Sequence, residues 1–228
     1  MNLFCTSFGP VYTVFAEVLR RSVADNSPET VWAYEEMAPA RPVPGIVGHA
    51  SINTSKLEVW NRHAQCIHAD TIYCDADMLC LGELGDAFAG DFDFAYTVRP
   101  GLKRIQAGVV FVRATDAGRR MMQEWALLND SLLDDPDRLD ELIHVHGGCN
   151  QAALSLLLEN PPDGVSVAEL PCEVWNSCHQ TWGTFGPDTR LLHLTGRLRR
   201  AAMEGRVPSK RGPYADVIPM VAAWMEYR

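Results

Sequence analysis

Apolar and polar positions along the first part of the chain predict a strand, a helix and a second strand. A short apolar run at residues 2–6 predicts the first strand, Gly9-Pro10 suits the start of a helix, and TVWAY at residues 30–34 is typical of a strand. One face of the intervening helix is apolar and is predicted to be buried: Val11, Val14, Phe15 and Val18. This order predicts the βαβ unit of an α/β sheet.

The remainder of the chain continues the alternation. The segment 38–50 is rich in Pro and Gly and predicts a loop, and Ser55 with Glu58 three residues later predicts a helix start of the capping-box type. Further strands are predicted at 71–74, 93–97, 107–113, near 165–168 and at 190–194. Other predicted elements are a helix capped by Thr115, a solvated acidic segment at 134–141, a buried helix at 151–158, a tryptophan-rich loop at 173–185 and a C-terminal helix from about 214.

Composition narrows the classes of protein that need to be considered. The 228 residues are 47% hydrophobic and 21% charged, which predicts one ordinary globular domain with a sizeable core. The net charge is −9 and the basic residues occur in short clusters, so general nucleic-acid binding is disfavoured. The sequence contains no apolar stretch of the ~20 residues that a membrane span requires, and the seven cysteines form no C-x-x-C pair. We therefore expect a cytoplasmic protein without a transmembrane segment, whose cysteines are small buried residues.

The stretch IYCDADMLCLGEL (72–84) carries two carboxylates, Asp75 and Asp77, and no Lys or Arg. Residues two apart in a strand point to the same side, so both carboxylates can approach one point beyond the carboxyl edge of the sheet, where open α/β sheets bind ligands. Paired carboxylates suit a hard divalent cation such as Mg²⁺ or Mn²⁺, which can bridge the oxygens of a diphosphate and would neutralise the pair. The alternative is that the two aspartates only form a turn.

Five stretches of the chain together resemble one family. SKLEVWN…TIYCDADMLCLGELGDAF (55–88) resembles the metal-binding segment of the glycogenin-like family 8 glycosyltransferases, which have the GT-A fold. Four more stretches resemble that family in the same order: Thr6-Ser7 with Tyr12, IQAGVVFVR (105–113), NQAAL (150–154) and LLHLTGRLRR (191–200). The resemblance implies an α/β fold made of a single GT-A-type, Rossmann-like domain, with a mixed, mostly parallel central sheet flanked by helices. It also implies a nucleotide- and metal-binding half at 1–100 and a donor-sugar and acceptor half at 101–228.

The resemblance also implies a role for individual residues. The metal would be held by Asp75, Asp77 and His193, and a histidine ligand favours Mn²⁺ over Mg²⁺. The donor, a UDP-sugar, would be held by Thr6, Ser7, Tyr12, Lys56, Asp75, Ala76, Asp77, Gly196 and Arg199. The catalytic residues near the donor sugar would be Gln106, Asn150 and Gln151. An arginine at position 199 replaces the family's lysine and can still bind a diphosphate.

Two departures from the family bear on the mechanism. Gln106 replaces an asparagine, which leaves the identity of the donor sugar open, and Asn150 replaces an aspartate, so it cannot be a carboxylate nucleophile or base. The expected function is transfer of a sugar, with retention, from a UDP-sugar to a hydroxyl acceptor by same-face attack. With few residues after position 200, the loops at 38–50 and 172–187 are expected to hold the acceptor. Aromatic and polar side chains suited to sugar stacking lie in the second loop: Trp175, Asn176, His179 and Trp182.

Three other readings remain open. Gln106 and Asn150 are also compatible with a nucleotide-sugar-binding protein that has lost catalysis. A phosphatase of the haloacid dehalogenase type would use the first aspartate of D-x-D as a nucleophile, but that family expects the motif on its first strand and a Thr or Val where this chain has Leu79. A zinc site at His144, His146 and Cys149 is disfavoured because this spacing is not a standard ligand pattern. The acceptor and the oligomeric state are not predicted.

Overall fold

The computed structural model of the protein describes residues 1–37, 48–101, 104–205 and 218–228, without the side chains of 48–52. Most of the predicted loop at 38–50 therefore lies outside the described residues, and so does the predicted start of the last helix near 214. The described residues form a central sheet of seven strands, a separate two-stranded sheet and helices on both faces of the central sheet.

The strands of the central sheet run mostly in one direction. The nine described strands are β1 (Asn2–Ser7), β2 (Val31–Glu36), β3 (Thr71–Asp75), β4 (Met78–Cys80), β5 (Phe94–Arg99), β6 (Arg104–Ile105), β7 (Val109–Val112), β8 (Val167–Leu170) and β9 (Leu191–His193). The central sheet has the order β2-β1-β3-β7-β5-β6, and β8 also pairs with β5. Because β1 is parallel to β2 and β3, and β5 is parallel to β8, five strands share one direction and β6 and β7 run against them. This confirms the predicted α/β fold with a mixed, mostly parallel sheet.

The helices cover the sheet in two layers. They are α1 (Gly9–Asn26), α2 (Gly48–Cys66), α3 (Asp116–Leu133), α4 (Pro136–His146), α5 (Cys149–Glu159), α6 (Cys172–Trp175), α7 (Gly196–Glu204) and α8 (Ile218–Tyr227), with short 3-10 turns at Gly85–Phe88 and Trp182–Thr184. Successive side chains of a strand point to opposite faces, so both faces of a buried strand are apolar. In β1, Leu3 and Cys5 join the core with α1, α7 and α8, whereas Phe4 joins the core with α2, α3 and α5.

The N-terminal half of α1 departs from the predicted buried face. Phe15 and Val18 are buried as predicted, but Val11 and Val14 are 44% and 50% exposed. The buried face continues through Leu19 and Val23, and its centre is therefore rotated away from the position of Val14. Val11 lies in the first turn, before the helix packs on the sheet.

The predicted start of α2 at Ser55 is wrong. The helix begins at Gly48, so residues 48–50 of the predicted loop are helical and Ser55 lies inside the helix. The S-x-x-E pattern is short and also occurs within helices, and no proline interrupts the chain from 48 to 54. The cap at Thr115 is confirmed, because its Oγ1 accepts a hydrogen bond from Gly118 N at 3.0 Å.

The cysteines and the membrane prediction can be compared directly with the structure. All seven cysteines are free thiols, and each except Cys66 is buried. In the described part of the chain, no helix has the length and the apolar character needed to cross a bilayer. The cytoplasmic location stays a prediction.

Candidate active site

A cavity of about 500 Å³ lies at the carboxyl ends of β1 and β3. Its described lining residues are Thr6, Ser7, Phe8, Tyr12, Met37, Asn53, Lys56, Asp75, Ala76, Asp77, Arg99, Gln106, Ala107, Gly108, Gly147, Asn150, Gln151, His193, Thr195 and Arg199. Every residue that the resemblance implies for the metal, the donor or catalysis is present in this set except Gly196, whereas none of the four residues expected to contact a sugar from the loop at 172–187 is. Gly196 begins α7 with φ +54°, and its neighbour Thr195 lines the cavity instead. The individual roles of these residues stay predictions.

Asp75, Asp77 and His193 come together because two short strands pair. Asp75 ends β3, Asp77 precedes β4, and β4 pairs antiparallel with β9 so that Met78 lies opposite His193. His193 Nε2 is 3.4 Å from Asp77 Oδ1 and 3.9 Å from Asp75 Oδ2. The three possible ligand atoms lie within 4.8 Å of one another, and no other group of three such residues occurs among the described residues. The alternative cluster at His144, His146 and Cys149 is therefore not formed.

Asn176 fixes which nitrogen of His193 can bind a cation. Its Nδ2 donates to Thr97 Oγ1 at 2.8 Å and to the carbonyl oxygen of Gln106 at 3.3 Å, which sets the orientation of its amide. Asn176 Oδ1 consequently faces His193 Nδ1 at 3.0 Å, and Nε2 is turned toward the two aspartates. When Nδ1 carries the hydrogen and donates it to Asn176, Nε2 has a free lone pair on the side of the aspartates. This tautomer and two carboxylates are a donor set that fits a divalent cation.

We expect Asn176→Ala to weaken Mn²⁺ binding by about tenfold to a hundredfold, because His193 would lose the acceptor that orients it. The measurement is an electron paramagnetic resonance titration of free Mn²⁺ in the presence of UDP. Asn176→Asp is the matched control, since it keeps an acceptor for His193 and should retain more of the affinity. An unchanged affinity in folded Asn176→Ala would contradict this role.

The two aspartates are neutralised by cations that lie far away in the sequence. Lys56 Nζ is 2.7 Å from Asp75 Oδ1, and Arg199 Nη1 is 3.0 Å from Asp77 Oδ2. Side chains from α2 and α7 therefore balance the charge of the pair, a role that the sequence analysis assigns to a bound metal. Lys56 is 4% exposed and also donates to the carbonyl oxygen of Ala107 at 3.3 Å.

Asp77 remains ionised although it is buried. Burial alone would raise the pKa of its carboxyl group, but a protonated His193 and the Arg199 guanidinium hold that pKa below the ordinary value before a cation binds. The charged carboxylate is the form that binds a cation.

Gly108 allows β7 to pass very close to the cluster. A Cβ atom at this position would lie 2.4 Å from His193 Cε1 and 3.1 Å from Asp75 Oδ2. Real Cβ atoms do not come within 3.0 Å of other heavy atoms, so the space at position 108 requires a glycine.

The other polar residues divide the cavity into two ends. At one end, Tyr12 Oη accepts from Arg199 Nη1 at 2.9 Å, and its ring lies 5.8 Å from that guanidinium. Thr6 Oγ1 accepts from Trp60 Nε1 at 3.1 Å, and the Ser7 hydroxyl is 2.7 Å from that of Tyr34. These contacts hold the end of β1 against α2 and β2.

At the other end, Gln106 Nε2 lies 3.2 Å from His193 Nδ1. Gln151 Nε2 donates to the carbonyl oxygen of His146 at 2.7 Å. Asn150 Oδ1 is buried and has no hydrogen-bond partner among the described residues. Asn150 therefore lines the cavity with a side-chain oxygen that is covered and unpaired among the described residues.

The fold and this cavity allow a comparison with solved structures. The fold is that of solved glycosyltransferases. A glycosyltransferase involved in glycosylation of the major capsid of PBCV-1 superposes with a TM-score of 0.65 over 90% of this chain and 97% of that one, at 13% identity. The glycosyltransferase GlyE of Streptococcus pneumoniae TIGR4 superposes with a TM-score of 0.63 over 99% of this chain, which spans 60% of GlyE, at 15% identity. At this identity the similarity shows the fold. No protein-family model and no curated protein sequence matches the chain.

Two expectations about the tryptophan-rich loop are wrong. Trp175 and Trp182 are each 6% exposed and belong to the core, and Trp175 packs on Phe111 at a ring distance of 5.6 Å. They are therefore not available to stack on a sugar. Asn176 is fully buried and faces His193, whereas His179 is exposed. The loop therefore supports the site by holding Asn176 against His193.

Several lining residues were missed by the sequence reading. Phe8 and Met37 follow the ends of β1 and β2, Asn53 lies on α2, and Arg99 ends β5. For Arg99, the available signal was a lone cation at the end of an otherwise apolar and hydroxyl-bearing strand, at the sheet edge where ligands bind.

Proposed function

We propose that the protein is a metal-dependent glycosyltransferase, related to family 8, that transfers a sugar with retention from a UDP-sugar to a hydroxyl acceptor. The observation that carries the proposal is the convergence of Asp75, Asp77 and His193 Nε2 in a cavity at the carboxyl edge of a glycosyltransferase-like fold. The two similar structures are described as glycosyltransferases, and their fold supports the same class of reaction here. The proposed donor and acceptor halves, 1–100 and 101–228, both contribute lining residues.

The charges of the cavity support a position for the donor. Thr6, Ser7 and Tyr12 would hold the base and ribose at the end of β1. Arg199 is next to Asp77 and Tyr12, where its guanidinium would bind the diphosphate. Lys56 keeps Asp75 in position through a buried ion pair.

Charge on the departing diphosphate is the main obstacle in this reaction. A divalent cation held by Asp75, Asp77 and His193 would neutralise that charge. Arg199 would bind the same diphosphate, so no protonated carboxylic acid has to assist its departure. Among the described lining residues, the only carboxylates are Asp75 and Asp77, which leaves no carboxylate nucleophile for a covalent intermediate.

Retention is then explained by attack from the same face. The bond between the anomeric carbon and the diphosphate oxygen breaks, the acceptor oxygen bonds to that carbon on the same side, and the acceptor proton passes to the departing phosphate oxygen. Asn150 and Gln151 are adjacent in the lining of the cavity, and Asn150 Oδ1 has no partner among the described residues. These residues would orient the donor sugar.

Thermal unfolding tests the proposal. We expect UDP with Mn²⁺ to raise the melting temperature, and EDTA to abolish the rise, since a ligand at about 100 times its Kd adds ~2.7 kcal/mol to the stability of the folded state. GDP and CDP with Mn²⁺ are the matched controls and should give smaller shifts. A folded sample that responds to none of the three nucleotides would contradict the proposal, and the two aspartates would then be turn residues.

A binding protein without catalysis is the second candidate. It is favoured by Gln106, whose amide already contacts Arg99 and His193 and therefore has less freedom to contact a sugar. The two candidates differ in turnover: an enzyme releases UDP from its UDP-sugar, with water or with an acceptor, whereas the binding protein leaves the donor intact. A Mn²⁺-dependent release of UDP would exclude the second candidate.

A further inference from the structure

Arg99 is a half-buried cation in the lining of the cavity. It ends β5 and lines the cavity beside Gln106, whose Oε1 accepts from its Nη2. Its Nε is buried and has no hydrogen-bond partner, and no carboxylate in the described residues forms an ion pair with it. Burial lowers the pKa of this guanidinium. Among the described residues, the contact from Nη2 to Gln106 is the only hydrogen bond that its five N–H donors make.

The charges of the proposed complex leave Arg99 unbalanced. Lys56 and Arg199 balance Asp75 and Asp77. The two charges of a divalent cation balance the two negative charges of a UDP-hexose. With a neutral His193, the positive charge of Arg99 is then left over among the described lining residues. A half-buried cation without a carboxylate partner has lost part of its hydration, so this site favours a ligand with one more negative charge.

The contacts also show where that charge would be. A chain of neighbouring side chains leads from Tyr12 to Arg199 and Asp77, then to His193 and Gln106, and ends at Arg99. Tyr12 and Arg99 are therefore at opposite ends of this chain. If the base lies at Tyr12 and the diphosphate at Arg199, Arg99 lies on the side of the donor sugar.

We propose that Arg99 binds the carboxylate of an acidic donor sugar, so that the preferred donor is a UDP-uronic acid. This inference rests on the proposed function and names its substrate class. The guanidinium can form two parallel hydrogen bonds with a carboxylate through its terminal nitrogens. Gln106 holds the guanidinium in place and explains why an amide longer than asparagine is present at that position.

The test is the binding of four donors in the presence of Mn²⁺. UDP-glucuronic acid and UDP-galacturonic acid are compared with UDP-glucose and UDP-galactose by isothermal titration calorimetry. We expect at least one uronic acid donor to bind about tenfold to a hundredfold more tightly than its neutral counterpart, the range typical of a hydrogen-bonded charge. In Arg99→Gln this preference should disappear, while the affinity for UDP should change by less than about threefold.

Arg104→Gln is the matched control. Arg104 lies opposite Arg99 in the β5–β6 pair, and it is not among the described lining residues. The control removes the same charge from the same hairpin and should leave the preference intact. The wild-type comparison stands by itself if Arg99→Gln does not fold.

The binding results distinguish failure of the uronic acid proposal from failure of the proposed function. Equal binding of charged and neutral donors by the wild type would overturn the uronic acid proposal and leave the proposed function intact. If the Arg99→Gln variant binds UDP itself more weakly, Arg99 contacts the diphosphate. If the variant loses the same affinity for all four donors, Arg99 only holds Gln106 in position. Both results would overturn the proposal. No binding of UDP by folded protein would overturn the proposed function together with it.

Discussion

Asp77→Asn is expected to lower kcat/KM for Mn²⁺-dependent donor turnover by at least about a thousandfold, which corresponds to ~4 kcal/mol of lost transition-state stabilisation. Asp77 is buried and ionised, and its two oxygens face His193 and Arg199. Asparagine has nearly the same shape, so the fold should survive, but it lacks the charge that binds a cation. The remaining Asp75 and His193 would hold the cation with too few ligands.

The measurement for Asp77→Asn is release of UDP from a UDP-sugar, with circular dichroism to show that the variant is folded. Asp91→Asn is the control, because Asp91 is exposed and lies outside the cavity lining. Wild-type turnover in folded Asp77→Asn would exclude Asp77 as a metal ligand and reopen the interpretation of the aspartates as turn residues.

Gly108→Ala is expected to abolish Mn²⁺ binding at concentrations that saturate the wild type, and to lower the free energy of unfolding by about 1–3 kcal/mol. The added methyl group would overlap His193 Cε1 and approach Asp75 Oδ2. His193 is only 5% exposed, and its Nδ1 is bound to Asn176, so it has little room to move. Either β7 or the cluster must shift.

Chemical denaturation and a Mn²⁺ titration measure the two effects of Gly108→Ala separately. Gly85→Ala is the control, because a Cβ atom at Gly85 would meet nothing within 4 Å. If Gly108→Ala binds Mn²⁺ like the wild type, the close approach of β7 to His193 does not constrain the site.

The sequence predicts this fold well in the elements whose side chains are fully buried. Strands with both faces apolar, such as 71–74, and the cap at Thr115 are found close to their predicted positions because few alternatives bury the same side chains. Predictions that depend on a short local pattern are less robust. Ser55 resembles a cap but lies within a helix, and Val14 has helical spacing but lies at the edge of the buried face.

The sequence predicts only part of the site, because many of its contacts depend on the complete fold. Asp75, Asp77 and His193 stand out because they lie in recognisable motifs. Their partners do not, since the pairing of Asp77 with Arg199 crosses 122 positions of the chain and depends on the complete fold. Asn176 was taken for a sugar contact because its role follows from the direction of an amide, which no pattern of residue types specifies.

The pairing of β4 with β9 has a consequence for the order in which the protein folds. It brings Asp77 and His193 together across more than one hundred residues, so the complete donor set exists only after the C-terminal part of the chain has docked. Closing so long a loop costs entropy before any contact compensates for it, which makes this pairing a late event. A cation that needs all three ligands would therefore bind only fully assembled molecules, and its binding free energy would stabilise the final step of folding.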